Sequence, residues 1–407
     1  MNIFKNSLRL WWQPPRRAGD RIEHRQVTFL ELFYDLVYVA VIAELSHSLS
    51  VHIGWAGLGR FAFLFIIVWW AWLNGSLYHD IHGNNDIRTR VFTFLQMVTV
   101  AAMAIFAHDA FGETSAGFAI SYAAFQLILG YLWWRTGVYD ENHRPITIPY
   151  IIAFIITTLL FFLSAFVPTP IRFYMWGLAV FLSFVLPIFV FGLGSKSPAI
   201  QAQLELSRTP TASLVERLGL FTIIVLGEVI VAVVQGVAGH HHLTLEVGVI
   251  GGTGMLVAIG LWWLYFDFVS HRRPQALLLW MYAHLPVTAG IATSGAAILN
   301  VVEHAGDALP TAVRWLLVGS MAITLLGIAL LIHTLHDAET DPRIRRTGLY
   351  VTAVAAIAIA ALGLSNLQTI PLLIVLIVFL LTPIFFGFLS WLHTVDAQKN
   401  EDSASSS

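Results

Sequence analysis

Long apolar stretches alternate with short polar ones along the whole chain. Each stretch holds about 20 residues, the length that an α-helix needs to cross the hydrocarbon core of a bilayer. Polar residues, prolines and glycines separate the stretches. This pattern predicts twelve membrane-spanning helices, near residues 27–49, 56–77, 89–108, 115–134, 147–167, 171–192, 213–238, 245–269, 275–300, 310–334, 347–365 and 370–391.

The basic residues fall mainly on one side of this alternation. If both termini are cytoplasmic, only Arg60, Arg172 and Arg314 lie in outer segments, which leaves 19 of the 22 lysines and arginines for the cytoplasmic segments. Cytoplasmic loops of membrane proteins carry such an excess of positive charge. The distribution therefore predicts a multi-pass protein of the inner, or plasma, membrane with both termini in the cytoplasm.

The composition excludes several classes of protein. Hydrophobic residues make up 57% of the 407 residues and charged residues only 11%, against about 25% charged in an ordinary soluble domain. The 22 basic and 24 acidic residues leave no basic excess for a nucleic-acid partner. Because cysteine is absent, disulfides, thiolate chemistry and cysteine-ligated metals are excluded.

The breaks between the spans divide the chain into five segments. The first is a basic cytoplasmic arm, which we expect to remain attached because no apolar core of a signal peptide follows its charges. Two membrane halves of six spans each follow, joined by a cytoplasmic linker, and a polar tail is expected to be disordered. The predicted segments are residues 1–26, 27–192, 193–212, 213–391 and 392–407.

The two halves share features in the same order. The first span of each half opens with a glutamate and holds a second one 12 or 13 residues deeper, and the next span carries a tryptophan pair. These residues are Glu31, Glu44 and Trp69-Trp70 in the first half, and Glu216, Glu228 and Trp262-Trp263 in the second. Edge charges and tryptophan pairs also occur as general interface anchors. The shared order favours two parallel six-helix pseudo-repeats.

Acidic and imidazole side chains inside the predicted spans are energetically unfavourable and call for a structural or functional explanation. A charge at the bilayer centre costs about 2.5–3.5 kcal/mol on insertion scales. In the first span, Glu31, Asp35 and Tyr38 share one helix face. We expect Glu31, Asp35, Asp267 and His284 to line a polar cavity open to the cytoplasm, with Glu44, His47 and Glu228 in an outer or central cluster. The candidate residues for binding a substrate or proton are Glu31, Asp35, Tyr38, Glu44, His47, Glu228, Asp267 and His284.

Three functions fit these residues. Groups that exchange protons suit a proton-linked secondary carrier or permease of a small solute or ion. The pairs His79/His82 and His333/His336 could instead belong to a membrane-embedded, metal-dependent enzyme that acts on lipid. A non-transporting structural or sensory protein would use the same polar groups for hydrogen bonds between helices. A carrier requires solvent-reachable polar groups, whereas a non-transporting protein would have them fully paired.

Four sequence blocks carry a resemblance to a known family. The run Glu31-Leu-Phe-Tyr-Asp-Leu-Val-Tyr-Val, followed by Leu45-Ser46-His47, resembles the ELFFDLVFV signature of the bacterial low temperature requirement protein A (LtrA) family. Residues 216–228, 263–267 and 284–286 resemble further blocks of that family, and the resemblance covers about residues 20–395. It implies a multi-pass membrane protein associated with growth or survival in the cold, and no particular substrate or reaction.

Taken together, the sequence predicts an all-α integral membrane protein. Transport in cold or stress tolerance is the favoured function, and an enzymatic activity is not expected. We assign no catalytic residue, metal ligand or cofactor. The expected partners are membrane lipids and a small solute or ion, without nucleic acid, and the sequence leaves a homo-oligomer open.

Overall fold

The computed structural model describes residues 13–17, 20, 25–193, 201, 210–270, 274, 276–335 and 342–405. Within these residues the chain forms twelve α-helices and no β-sheet. A π-helical turn, Phe266–Ser270, follows the eighth helix. The helices are α1 Phe29–Val51, α2 Trp55–His82, α3 Ile87–Ala107, α4 Ser115–Tyr139, α5 Arg144–Ser164, α6 Ile171–Leu193, α7 Ala212–Ala238, α8 Leu245–Tyr265, α9 Leu277–Glu303, α10 Thr311–Thr334, α11 Pro342–Ala361 and α12 Thr369–Ser405.

Each predicted span coincides with one helix, and the all-α prediction is confirmed. Eleven of the helices, α2 to α12, are long and apolar enough to cross a membrane. The last helix continues to Ser405, so the backbone is helical across most of the tail that was expected to be disordered. Most of the basic arm 1–26 and nearly all of the linker 193–212 lie outside the described residues.

The chain divides into two compact units. Unit 1 consists of Met1–Ser48 and Gly59–Phe221, and unit 2 of Leu49–Leu58 and Thr222–Ser407. The division therefore passes through α1, α2 and α7, and the beginning of α7 belongs to unit 1.

Aromatic rings fill the core of unit 1, where α3 to α6 pack against one another in chain order. The Trp176 ring lies 5.6 Å from the Phe161 ring and 5.4 Å from the Phe118 ring. Its indole nitrogen donates a 2.8 Å hydrogen bond to the Ser164 hydroxyl. Large buried rings contribute much of the packing energy of such a core.

Small residues bring the helices of unit 2 close together. A Cβ atom added at Gly290 of α9 would lie 2.3 Å from the Thr324 hydroxyl of α10, and one added at Gly327 of α10 would lie 2.6 Å from the Val287 side chain of α9. Close approach at small residues is the usual way in which membrane helices associate. Accordingly, α9 and α10 have the largest share of buried residues among the eleven apolar helices.

Two arginines that the charge rule places on the outer side bind the ends of helices. Arg172 donates to the carbonyl oxygens of Ser164 and Ala165, at 2.9 and 3.0 Å. Arg314 donates to the carbonyl oxygens of Ser365 and, at 3.0 Å, of Leu367. Carbonyl groups at a helix C-terminus lack partners within the helix and attract cations. Both arginines thus stabilise the C-terminal end of a helix.

Candidate functional site

Asp35 of α1 forms a buried ion pair in unit 1. Its side chain is 0% exposed. Nη2 of Arg217 donates a 2.6 Å hydrogen bond to Oδ1, and the indole nitrogen of Trp72 donates another to the same oxygen at 2.8 Å. A buried carboxylate is tolerated when an opposite charge and hydrogen bonds compensate for its lost hydration. Asp35 is therefore fully partnered by side chains of α2 and α7.

Arg217 joins this carboxylate to two tyrosines. The guanidinium is 0% exposed and lies 5.5 Å from the centre of the Tyr34 ring. The hydroxyls of Tyr34 and Tyr38 are 3.0 Å apart and share a hydrogen bond. An arginine over an aromatic face gains further electrostatic attraction when water is excluded. We call Asp35, Arg217, Trp72, Tyr34 and Tyr38 the Asp35–Arg217 cluster.

Glu31 stabilises the beginning of α1. Its carboxylate accepts hydrogen bonds from the backbone nitrogen of Thr28 at 2.9 Å and from the Thr28 hydroxyl at 3.0 Å. The Thr28 hydroxyl in turn accepts from the backbone nitrogen of Glu31 at 3.3 Å. This reciprocal arrangement is a capping box. The position of Glu31 therefore follows from helix capping, and a role in binding stays a prediction.

Arg25 ties three helix ends of unit 1 together. Its guanidinium lies 2.6 Å from the Glu31 carboxylate and 3.3 Å from that of Asp80. It also donates to the Ser213 hydroxyl at 3.1 Å, and the Thr211 hydroxyl donates to Asp80 at 2.6 Å. The starts of α1 and α7 are thereby fixed to the end of α2.

His284 of α9 is buried in unit 2 with both ring nitrogens bonded. Nδ1 lies 2.8 Å from the carbonyl oxygen of Trp280, and Nε2 lies 2.9 Å from the Tyr265 hydroxyl. Because a carbonyl oxygen only accepts hydrogen bonds, Nδ1 carries a proton. Both ring nitrogens of His284 are thus used for hydrogen bonds within the protein.

Glu228 of α7 differs from Asp35 and His284. Its side chain is 8% exposed, and no described residue donates a hydrogen bond to the carboxylate or forms an ion pair with it. Helix α9 passes its backbone closely, because a Cβ atom at Gly295 would lie 3.4 Å from the Glu228 carbonyl. Glu228 is therefore an acid within an apolar helix that finds no partner in the described part of the chain.

The remaining candidates lie in more open positions. Glu44 is half-buried and His47 is exposed near the end of α1, and Asp267 is exposed in the π-helical turn Phe266–Ser270. The described contacts bring Asp35 and Tyr38 into one cluster in unit 1. In unit 2, Glu228 and His284 have separate surroundings. The cavity predicted from these residues stays a prediction.

The histidine pair of α2 is held by polar groups of the protein. His79 Nε2 lies 3.3 Å from the Gln96 side-chain oxygen, and His82 Nδ1 lies 2.8 Å from the carbonyl oxygen of Arg16. Among the described residues, no group of three or more histidine, aspartate or glutamate side chains could hold a metal ion. His336, the second member of the other pair, lies outside them.

Arg217 and Trp72 are the site residues that the sequence analysis missed. The charge distribution predicts only that Arg217 is one of the basic residues at the cytoplasmic ends of the spans. Its position inside the apolar run 213–238 was the available signal, since an acid inside one span calls for a cation inside another. For the indole partner, no signal in the sequence distinguishes Trp72 from the other tryptophans.

The family model described as bacterial low temperature requirement A protein (LtrA) matches residues 26–382. The chain belongs to the LtrA family. Asp35, Arg217, Glu228 and His284 all fall within the part of this LtrA-family chain that matches.

One relative shows how far the similarity extends. An uncharacterized protein from Rhizobium meliloti (strain 1021) is 27% identical to this LtrA-family chain over 294 residues, which is 67% of this chain and 68% of the relative. The match covers about two thirds of both proteins.

Proposed function

We propose that this LtrA-family protein is a proton-linked secondary carrier or permease of a small solute or ion. Glu228 is the group that gains and loses the proton in this proposal. The observation that carries it is a largely buried carboxylate within the apolar helix α7 that has no partner among the described residues. The family description supports a place for such transport in growth at low temperature, and the proposed setting is the bacterial inner membrane with both termini cytoplasmic.

Charge balance is the physical reason for choosing Glu228. About 16 residues of α7 precede it, which places it roughly 24 Å along the helix axis at 1.5 Å per residue. An ionised carboxylate at such a depth is expensive unless a proton or a cation neutralises it. A carrier uses that requirement, because proton and solute can then alternate at one acid as access changes.

The other buried groups take fixed roles in this proposal. Asp35 already has the Arg217 guanidinium as its counter-charge, at 2.6 Å. His284 has a partner at each ring nitrogen. Releasing either group would require breaking these bonds in the buried interior, where lost hydrogen bonds are costly. We therefore assign them to positioning the helices, and only Glu228 to proton exchange.

Uptake by reconstituted vesicles tests the proposal. Purified protein in liposomes is exposed to a panel of small solutes and ions, with and without an imposed pH gradient. At least one solute should enter faster when the gradient is present, and Glu228→Gln should abolish that difference. Glu246→Gln is the matched control, because Glu246 is an exposed acid in the first turn of α8. Gradient-dependent uptake that is unchanged in Glu228→Gln would refute the role of this residue.

A non-transporting structural or sensory role is the second candidate. The observation that favours it is the complete pairing of Asp35 and His284. This alternative predicts that no solute of the panel enters faster in liposomes with protein than in liposomes without it.

A further inference from the structure

Helix α11 in unit 2 carries an exposed stripe that begins with a basic residue. Arg346 is exposed, and so are Tyr350, Val354 and Ile357 in the following turns, to 59%, 63% and 65% of their surface. Residues spaced by three or four positions lie on one face of an α-helix. Because α11 packs against α10 and α12, this face is the side that neither neighbour covers. We call these four residues the Arg346 stripe.

The aromatic end of α12 indicates how deep the stripe lies in a membrane. A Cβ atom added at Gly348, two residues after Arg346, would lie 3.6 Å from the Phe386 ring of α12. Trp391 follows on α12 towards the same end and is 59% exposed. Exposed tryptophans are typical of the headgroup level of a bilayer. Arg346 therefore lies near that level, and Ile357 lies about 16 Å away along the helix axis, roughly the thickness of one hydrocarbon leaflet.

The guanidinium of Arg346 has no ion-pair or hydrogen-bonding partner among the described residues. Other arginines near the beginning of helices turn back onto the protein. Arg345, its neighbour, donates to the carbonyl oxygen of Leu335, and Arg314 of α10 donates to that of Leu367 at 3.0 Å. An exposed guanidinium that the described part of the chain does not bind can bind a ligand from the surroundings.

A similar stripe on α3 shows what distinguishes the one on α11. Arg90, Phe94 and Val98 are exposed at the same spacing. However, the Arg90 guanidinium already donates a 3.1 Å hydrogen bond to the side-chain oxygen of Asn85. The ring one turn later belongs to a phenylalanine, which has no hydroxyl, whereas the Arg346 stripe has a tyrosine there. Both stripes offer apolar surface, but only the Arg346 stripe adds an unbonded guanidinium and a phenolic donor.

We propose that the Arg346 stripe binds one anionic phospholipid of the surrounding membrane. The guanidinium can form two parallel hydrogen bonds to phosphate oxygens. The Tyr350 hydroxyl, one turn deeper, donates to a further headgroup oxygen, and an acyl chain lies along Val354 and Ile357. A cationic side chain at the headgroup level favours lipids of net negative charge over zwitterionic ones. This site lies away from the acid of α7 and does not depend on the transport proposal.

Native mass spectrometry of the purified full-length protein tests this proposal, because it counts bound lipids one at a time. The protein is titrated in detergent with phosphatidylglycerol, which is anionic, or with phosphatidylcholine, which is zwitterionic. The first phosphatidylglycerol should bind saturably and about 5-fold more tightly than the first phosphatidylcholine, as one cationic side chain near the headgroups provides. Equal affinities for the two lipids would overturn the proposal.

Substitution of the arginine shows whether this stripe is the site. Arg346→Gln should remove most of the preference for phosphatidylglycerol, because the cation is lost and the apolar surface is kept. Arg90→Gln is the matched control, since Arg90 heads the stripe on α3, and it should keep the wild-type preference. A wild-type preference in Arg346→Gln, or an equal loss in Arg90→Gln, would show that the lipid binds elsewhere.

Two further variants test the geometry of recognition. Arg346→Lys keeps the charge without the forked arrangement of donors, so its affinity for phosphatidylglycerol should lie between those of wild type and Arg346→Gln. Tyr350→Phe removes only the hydroxyl and should weaken binding less than Arg346→Gln does. A lysine variant of wild-type affinity would contradict binding through two parallel hydrogen bonds.

The assembly mass and the melting temperature serve as controls. A second copy of the chain seated on the stripe would give a dimer that binds no phosphatidylglycerol, and this result would overturn the proposal. Without added lipid, Arg346→Gln should melt like wild type, because substitutions of exposed side chains have small effects on stability. Added phosphatidylglycerol should raise the melting temperature of wild type more than that of the variant. An equal rise in both proteins would contradict binding at Arg346.

Discussion

Nη2 of Arg217 lies 2.6 Å from Oδ1 of Asp35, and both side chains are shielded from solvent. The pair connects α1 to the start of α7, and the indole of Trp72 on α2 donates to the same carboxylate oxygen. Three helices therefore meet at one compensated charge. Such a pair specifies how the helices fit together, since neither partner can leave without exposing the other to an apolar environment.

Removing one partner of this pair should be costly. Asp35→Asn or Arg217→Gln leaves an uncompensated buried charge, which destabilises a protein by about 3–5 kcal/mol. The double variant should be less destabilised than the sum of the two single variants. Reversible unfolding in detergent, analysed as a double-mutant cycle, measures this coupling. Strictly additive effects would show that the two groups do not stabilise each other.

The indole of Trp72 provides a second, smaller contribution. Trp72→Phe keeps an aromatic ring but removes the donor to Asp35, so we expect a loss of about 1–3 kcal/mol in the free energy of unfolding. Trp262→Phe is the comparison, because Trp262 is 46% exposed on α8. Equal losses in the two variants would mean that ring size, and not the hydrogen bond to Asp35, accounts for the effect.

Close packing of α9 and α10 makes Gly327 sensitive to a single methyl group. Gly327→Ala places Cβ 2.6 Å from the Val287 side chain, and such overpacking costs about 1–3 kcal/mol. Gly319→Ala on the same helix meets nothing within 4 Å and should leave the melting temperature unchanged or raise it. Thermal unfolding measures the melting temperatures of both variants. A Gly327→Ala protein as stable as Gly319→Ala would argue against this helix contact.

The hydrogen bond between Tyr265 and His284 can be tested in the same way. Tyr265→Phe leaves the buried Nε2 of His284 without its hydrogen-bond partner, and we expect a loss of about 1–3 kcal/mol. In a His284→Phe background the same tyrosine change should cost less, because the imidazole partner is already gone. Unfolding in denaturant gives both values. A tyrosine effect of the same size in both backgrounds would rule out a functional hydrogen bond between the two side chains.

The helices could be predicted from the sequence because apolar length is a local property. Every predicted span has a matching helix, and the boundaries differ by a few residues, as for α11, predicted from 347 and beginning at Pro342. The end of α12 is the larger difference, since polar residues after Leu392 favoured disorder and the helix continues to Ser405. Local composition does not tell a polar helix extension from a tail.

The site was less accessible to prediction because its contacts join distant parts of the chain. Asp35 and Glu228 are both acids within apolar runs, and the sequence treats them alike. The structure distinguishes them. Arg217, which is 182 residues away in the chain, neutralises the charge of Asp35, whereas no described side chain neutralises that of Glu228. Similarly, the spacing of Thr28 and Glu31 identifies a capping box only once a helix is known to begin there.

The most direct test of the proposed function is proton movement that depends on both a solute and Glu228. Liposomes holding a pH-sensitive dye and the wild-type protein should change their internal pH when a transported solute is added. Liposomes with Glu246→Gln should do the same, whereas Glu228→Gln should show no solute-dependent change. An undiminished proton signal in Glu228→Gln, or its absence from wild type for every solute tested, would contradict proton-linked transport through this residue.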